Sequence, residues 1–573
     1  MSGANLAPPG PFRGALRTLL GAIEGTFDRP FGQAGNPWRH LGGLAFLLFW
    51  IVAVSGIYVY IGFDTDVVGA YASVERLSSN AFPLGSLARS LHRYGSDAFV
   101  LVVLLHLARE WIHGRYAHFR RFSWLTGVFA LWLVYASGIG GFWLVWDRIA
   151  QYSLIATAEW LDVLPVFDGA LVRNFIAEGA VNDRLFSLLI FLHIGIPLAL
   201  LAVMWVHLQR LTLPETLPPR ALTWGTLGAL AVLSLAAPIA SDAPANLAVA
   251  PETLALDWFY LAVHAFADAT SPLALWLAIG GFTLLLVLLP LASRAARAPH
   301  PVAAVVNLAN CNGCARCFAD CPYAAVTMQP RTDGRNHPRQ AVVDPDLCAG
   351  CGICAGACPS STPFRSVAEL VTGIDMPQAP IDALRAELES ALARLAQSRP
   401  LATTRRGTFP SIKGASARDD DADATSSATP RIVAFGCRPE QGGADLATIA
   451  DDCTVTIFLL CAAQLPPSFV EYALRAGADG VLVTGCRDGE CMYRLGNRWV
   501  DERLAGARAP RLRAAVPRDR LRIAWAGRGD EARLRAALLA FRADLAVGTA
   551  AHRAAFASPP KRSESFRERV PSA

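Results

Sequence analysis

The stretch LHRYGSDAFVLVVLLHL, residues 91–107, decides how the first half of the chain folds. It is mostly apolar, yet it holds two histidines, His92 and His106, fourteen residues apart. Further on, LHIGIPLALLAVMWVHLQ (192–209) repeats the device with His193 and His207, again fourteen apart. On a helix, fourteen steps of about 100° return to within roughly 40° of the same face, about 21 Å higher. Two such helices side by side present inward imidazoles at two matched depths, which suits a clamp for two flat macrocycles stacked across a membrane. Imidazole is a good axial ligand for haem iron. The plainer use of a membrane histidine is an interhelical hydrogen bond; two pairs at one spacing favour ligation.

Glycines keep the same interval. Gly42 and Gly56 are fourteen apart, as are Gly127 and Gly141. A residue without a side chain lets a bulky ring approach the backbone. Arg89 precedes His92 by three residues and Arg109 follows His106 by three, so either is a candidate partner for a haem propionate.

Composition agrees with a membrane half. Of 573 residues, 53% are hydrophobic and 17% charged, below the roughly one quarter charged of soluble domains. Long apolar runs cover about 41–61, 96–112, 124–146, 185–208 and 272–292, with a weaker one over 222–240. Arginines follow the second, fourth and sixth runs (Arg115, Arg120, Arg121; Arg210, Arg220; Arg294, Arg297), while the loop near 147–184 is more acidic. The positive-inside rule then gives six spans with both termini in the cytoplasm of a bacterial inner membrane. Residues 1–37 read as a cytoplasmic segment without a cleavable signal pattern. The net charge of +5 is explained by basic loops beside the spans and calls for no nucleic acid.

All thirteen cysteines lie after residue 310. Such clustering points to metal centres in a reducing compartment rather than to disulfides. CNGCARCFADCP and CAGCGICAGACP spell C-x-x-C-x-x-C-x-x-x-C-P twice. In this pattern three thiolates surround one cubane and the fourth reaches the other cluster. Cys311, Cys314, Cys317 and Cys358 are thus expected to hold one [4Fe–4S] cluster, and Cys348, Cys351, Cys354 and Cys321 the second. A zinc knot would not call for the trailing C-P. After a helical and flexible linker over 376–430, the strand-like RIVAFGC, VTIFLLC and GVLVTGC alternate with the helical PSFVEYALRAGA, a small α/β unit. Its strand ends carry Cys437, Cys461, Cys486 and Cys491, a ligand set for one [2Fe–2S] cluster, and leave Cys453 spare.

These motifs resemble known families. The histidine and glycine pairs, with ATAEWLDVLPVFDGALVRNFI (156–176), resemble the four-helix dihaem core of cytochrome b over residues 38–215. The resemblance implies that His92 and His193 ligate an outer haem b, and His106 and His207 an inner one. It implies a homodimer as well. Over 216–295 two further spans flank LDWFYLAVHAF (256–266), which resembles the Pro-Glu-Trp-Tyr loop of that family's outer quinol site. There Asp257 would stand for the proton-accepting glutamate, beside Trp258 and Tyr260, and Leu256 replaces the proline. Residues 300–375 resemble bacterial two-cluster ferredoxins. Residues 431–548 resemble the delta subunit of methyl-viologen-reducing hydrogenase on GGADLA and AGADGVLVTGCRDGECMYRLGN, but only Cys437 stands where the family has a Cys-x-x-Cys pair, with Glu440 near the missing partner. Residues 549–573 read as a disordered tail.

The expected architecture is a six-helix membrane bundle, a cytoplasmic α+β ferredoxin domain and a small α/β iron–sulfur domain. The expected function is electron transfer between the quinone pool and a cytoplasmic flavin/iron–sulfur oxidoreductase of heterodisulfide-reductase type, in the direction of quinone reduction. The rival readings are the membrane anchor of a hydrogenase or formate dehydrogenase, and a redox sensor.

Overall fold

The computed structural model describes residues 10–79, 84–167, 169–173, 181–250, 253–292, 301–397 and 429–557. Residues 398–428 of the linker expected over 376–430, residues 558–573 of the tail expected over 549–573, and Arg294 and Arg297 lie outside the described residues. The chain forms two compact units, Met1–His300 and Pro301–Ala573.

The first unit is helical: α1 (Pro11–Gly35), α2 (Leu41–Ile61), α3 (Gly69–Ser78), α4 (Gly85–Ile112), α5 (Arg121–Val145), α6 (Arg148–Asp162), α7 (Asp183–Leu208), α8 (Arg220–Ala236), α9 (Ala262–Ala269) and α10 (Pro272–Ala292). Among the described residues, four stretches are long and apolar enough to cross a membrane: Pro37–Ile61, His118–Val145, Asp183–Leu208 and Pro272–Ala292. Of the other two expected spans, one is α8, which has 17 residues. The other lies in α4, a helix of 28 residues whose hydropathy is lowered by Arg89, Arg93 and Asp97. Those charges are spent inside the bundle. Arg89 pairs with Glu75, and Arg93 with Asp97 and Asp257.

Helix α2 lies along α4 and α5 along α7, around a core that includes Leu48, Phe99, Val100, Val134 and Leu200. Caps set the helix starts. The Asn182 side chain accepts from the amides of Arg184 and Leu185, opening α7, and Asp147 accepts from Ala150, opening α6. The far end of α4 is finished by α1, whose Arg17 donates to the carbonyls of Ile112 and His113 at 2.9 and 2.7 Å. Large apolar side chains such as Val54, Ile57, Phe191, Leu198 and Leu277 stand exposed on the outside of the bundle, a surface suited to lipid.

The second unit begins with two small antiparallel sheets, β1 (Val305–Val306) with β4 (Ile374–Asp375), and β2 (Val326–Pro330) with β3 (Arg339–Val343). The two cysteine motifs adopt one backbone. Gly313 and Gly350 both have φ +65, a conformation that favours glycine, and each motif then enters a five-residue helix, Arg316–Asp320 or Ile353–Ala357. The α/β part is a parallel sheet in the order β6–β5–β7–β8, built from β5 (Ile432–Cys437), β6 (Thr454–Leu459), β7 (Gly480–Val483) and β8 (Leu521–Ile523).

Candidate functional site

The four membrane histidines and the four glycines meet in pairs. A Cβ added to Gly56 would lie 2.7 Å from Cε1 of His92, and one on Gly141 3.0 Å from Cε1 of His193. The same atom on Gly127 would stand 3.3 Å from His207, and on Gly42 3.6 Å from His106. The glycines of α2 thus seat the histidines of α4, and those of α5 the histidines of α7.

His92 and His193 face each other across the bundle with ring centroids 6.1 Å apart. Two metal–imidazole bonds of about 2 Å each, with the ring radii added, put two axial rings on one iron about 6 Å apart. Three of the four rings are anchored through Nδ1. Nδ1 of His92 lies 2.9 Å from the Val52 carbonyl, and Nδ1 of His193 lies 3.0 Å from the Ser137 carbonyl. A carbonyl only accepts, so Nδ1 carries the hydrogen and Nε2 keeps its lone pair for a metal. His207 is held through Nδ1 by the Thr126 hydroxyl at 3.0 Å. The His92–His193 pair fits a bis-histidine haem.

The arginines divide. Arg89 is taken up by Glu75, Ser78 and Ser241. Arg109 gives Nε to the buried Glu24 at 2.9 Å, and its Nη2 is buried without a hydrogen-bond partner. Of the two, Arg109 has the buried donor still unpartnered among the described residues.

The loop before α9 also differs from a simple reading. Asp257 is buried, with Oδ1 on Arg93 and Oδ2 accepting the amides of Phe259 and Tyr260. It caps a turn. Trp258 points outward, while Tyr260 is 1% exposed and lies over Gly138, where an added Cβ would come 2.0 Å from its ring. The Tyr260 hydroxyl meets Ser96 Oγ at 3.1 Å, and Tyr135 donates to its carbonyl at 2.7 Å. Arg93, Asp97 and Gly138 were not singled out from the sequence, although Arg93 directly follows His92. His264 is fully buried against Ser153 Oγ at 3.0 Å.

In the second unit, Cys311, Cys314, Cys317 and Cys358 line one cavity of about 300 Å³. Cys321, Cys348, Cys351 and Cys354 line another of about 340 Å³. Each cavity therefore takes three cysteines from one motif and the fourth from the other, as the spacing suggests. Among the described residues, no three His, Cys, Asp or Glu side chains gather as a single-ion site; these thiols ring the cavity walls. Burial and the neighbouring thiols push Cys317 up to about 12, and burial also raises Cys351 and Cys354. Bare thiolates are disfavoured there, so a cationic iron core is what would hold them deprotonated.

The third set gathers at the carboxyl ends of three adjacent strands. Cys437 ends β5, Cys461 follows β6, and Cys486 and Cys491 follow β7. Cys461 and Cys486 hydrogen-bond to Cys437 and Cys491, lowering the latter two and raising themselves. The Ala462 amide donates to Cys437 Sγ at 3.0 Å. Gly496 leaves the set its room, since a Cβ there would meet Cys461 Sγ at 2.4 Å and Cys491 Sγ at 3.0 Å. Cys453 lies apart, its amide on Asp451.

Family comparisons follow the same division. Residues 27–214 match the family model for cytochrome b/b6/petB, residues 310–362 that for a 4Fe-4S dicluster domain, and residues 432–547 that for the methyl-viologen-reducing hydrogenase delta subunit. Cytochrome b of Cyanidium caldarium is 27% identical over 176 residues, covering 30% of this chain and 44% of that protein. Cytochrome b6 of Gracilaria tenuistipitata var. liui is 29% identical over 176 residues, covering 30% of this chain and 80% of its own length. Cytochrome b6 of Heliobacterium mobile is 29% identical over 174 residues, covering 30% and 81%. The chain thus spans less than half of the first of these relatives. A solved structure described as a hyperthermophilic respiratory Complex III aligns at a TM-score of 0.38 and 21% identity, covering 44% of this chain and 75% of that one.

The matches define a class, a multi-pass cytochrome b-type membrane domain carried together with iron–sulfur domains. More narrowly, this chain joins a cytochrome b/b6 segment, a 4Fe-4S dicluster segment and a hydrogenase delta-subunit segment in that order.

Proposed function

We propose that the chain is a membrane subunit carrying electrons between the quinone pool and a cytoplasmic flavin/iron–sulfur oxidoreductase of heterodisulfide-reductase type. The observation that carries this reading is the four glycine–histidine seats, with His92 facing His193 at axial-ligand distance. In it, His92 with His193 and His106 with His207 hold two b haems. The two crossed cysteine sets hold [4Fe–4S] clusters, and Cys437, Cys461, Cys486 and Cys491 hold a [2Fe–2S] cluster. When bound, these groups supply the one-electron steps.

The protein's own residues do the rest. Val52, Ser137 and Thr126 fix the imidazoles. Gly56, Gly127 and Gly141 leave room for the imidazoles of His92, His207 and His193, and Arg109 offers a propionate donor. The loop of Asp257, Trp258 and Tyr260 forms the floor of a quinone site, with Arg93 holding its carboxylate. The six expected spans, in α2, α4, α5, α7, α8 and α10, cross the bilayer, with both termini and the iron–sulfur domains on the cytoplasmic side, consistent with the arginine-rich loops. The delta-subunit-like domain is the surface that the soluble oxidoreductase meets, and electrons run toward quinone.

Stopped-flow spectroscopy on the detergent-purified chain tests this. After reduction by dithionite, a ubiquinone or menaquinone analogue should reoxidise the haems rapidly. Haems that ignore quinone would leave the sensor reading in its place.

A further inference from the structure

The iron–sulfur half contains a junction that electron transfer as such does not require. Asp320, one residue before Cys321, is 2% exposed and is gripped by both Arg503 and Arg508, with Arg508 Nη1 at 2.7 Å. Arg503, 1% exposed, also donates Nη1 to the Ala463 carbonyl at 2.7 Å and Nη2 to the Ile353 carbonyl at 3.3 Å. Ile353 lies between Cys351 and Cys354, and Ala463 lies two residues past Cys461. One guanidinium therefore touches the ligand loops of two different cysteine sets. Beside it, Trp499 donates Nε1 to the Asp320 carbonyl at 3.1 Å, and Arg508 stacks on the Trp499 ring with Cζ 3.3 Å from its centroid.

The two backbones also come into direct contact here. A Cβ on Gly356 would lie 2.2 Å from the Ala463 carbonyl, and one on Gly352 3.0 Å from the Gln464 side chain. Arg494 donates to the Pro322 carbonyl at 3.2 Å, and Tyr323 to the Met492 carbonyl at 3.5 Å. Tyr493, two residues after Cys491, is buried, and its hydroxyl donates to Gln441 Oε1. The remaining cysteine set is different. Cys314 is exposed, and Phe318 beside it is 49% exposed.

We propose that Arg503, paired with Asp320, forms a fixed bridge that joins the Cys321/Cys348/Cys351/Cys354 site, rather than the Cys311/Cys314/Cys317/Cys358 site, to the Cys437/Cys461/Cys486/Cys491 site for direct electron exchange. This rests on the reading that all three sets hold clusters. One electron leaves one side of the bridge and arrives at the other, with no bond made and no proton required. Arg503 is a positioning residue. A buried ion pair adds less stability than a packed apolar pair of the same size, and fixing a register is its best-attested use. The Cys314 site is left as the outward port of this half.

The test is electron paramagnetic resonance on the full chain, purified without oxygen and reduced in steps. Cys314→Ser and Cys351→Ser each mark one cubane by shifting its signal, and Cys486→Ala deletes the third cluster. Reduction of the third cluster should quicken the spin relaxation of the cubane marked at Cys351, and Cys486→Ala should abolish that effect. The cubane marked at Cys314 should be indifferent to both. Quickening confined to the cubane marked at Cys314, or equal in the two, overturns the proposal. Arg503→Met keeps every ligand and guards against loss of a cluster in the cysteine variants. With iron content unchanged, it should weaken the coupling, and unchanged coupling overturns the bridge. An iron count that lacks the third cluster in the unmodified chain overturns the functional reading itself, and is thereby told apart from a failure of coupling alone.

Discussion

Gly56 and His92 approach so closely that a single added methyl group would stand 2.7 Å from Cε1 of the imidazole. Something must shift to admit it, and the His92 ring is tied to the same helix by the Val52 carbonyl at 2.9 Å. Gly42 and His106 leave 3.6 Å, an ordinary contact. Gly56→Ala should therefore lose one of the two haems while Gly42→Ala keeps both, as read by haem content per chain. Equal losses in the two variants would mean that the seat does not govern binding.

Arg93 forms an ion pair with the buried carboxylate of Asp257. Removing one member of such a pair costs about 3–5 kcal/mol, because the other charge is left uncompensated. Arg93→Gln should therefore release the Asp257–Tyr260 loop and slow haem oxidation by quinone, with haem content unchanged. Gly138→Ala should act alike, since the Tyr260 ring fills the space above that residue. Normal quinone kinetics in both variants would remove the loop from the quinone site.

The membrane site was legible because its signal is periodic. Histidines and glycines at one interval stay in phase however the helices tilt, and the folded chain pairs each glycine with a histidine. The cysteine motifs were legible for a similar reason, since short spacing leaves a thiolate few places to go. What escaped were partners brought together by long-range packing. Asp320 and Arg503 are 183 residues apart, and no local pattern marks them. Hydropathy alone undervalues α4, because it cannot see that Arg89, Arg93 and Arg109 find their carboxylates inside the bundle. The resemblance makes Asp257 the counterpart of a proton-accepting glutamate, but no local pattern shows that its carboxylate meets two backbone amides and the Arg93 guanidinium.

Cys453 and Cys486 should behave oppositely. Cys453 lies outside the cysteine quartet, whereas Cys486 hydrogen-bonds to both Cys437 and Cys491. Cys453→Ser should leave the iron content unchanged, and Cys486→Ala should lower it by about two atoms per chain, the content of one binuclear cluster. Iron analysis beside protein quantitation decides this.

Arg503→Met should destabilise the iron–sulfur half by about 3–5 kcal/mol, since Asp320 would stay buried with only Arg508 to meet it. The midpoint for loss of cluster absorbance in urea should fall accordingly. Adding Asp320→Asn should cost less than its effect alone, because the two side chains share one network. Strict additivity would show that they do not depend on each other.

The most direct measurement is the haem stoichiometry and reduced spectrum of the purified full-length chain and of its His92→Ala and His106→Ala variants. Two b haems per chain with bis-histidine spectra, falling to one in each variant with different residual signals, is the expected result. A colourless membrane domain, or haem content indifferent to either histidine, would contradict the account.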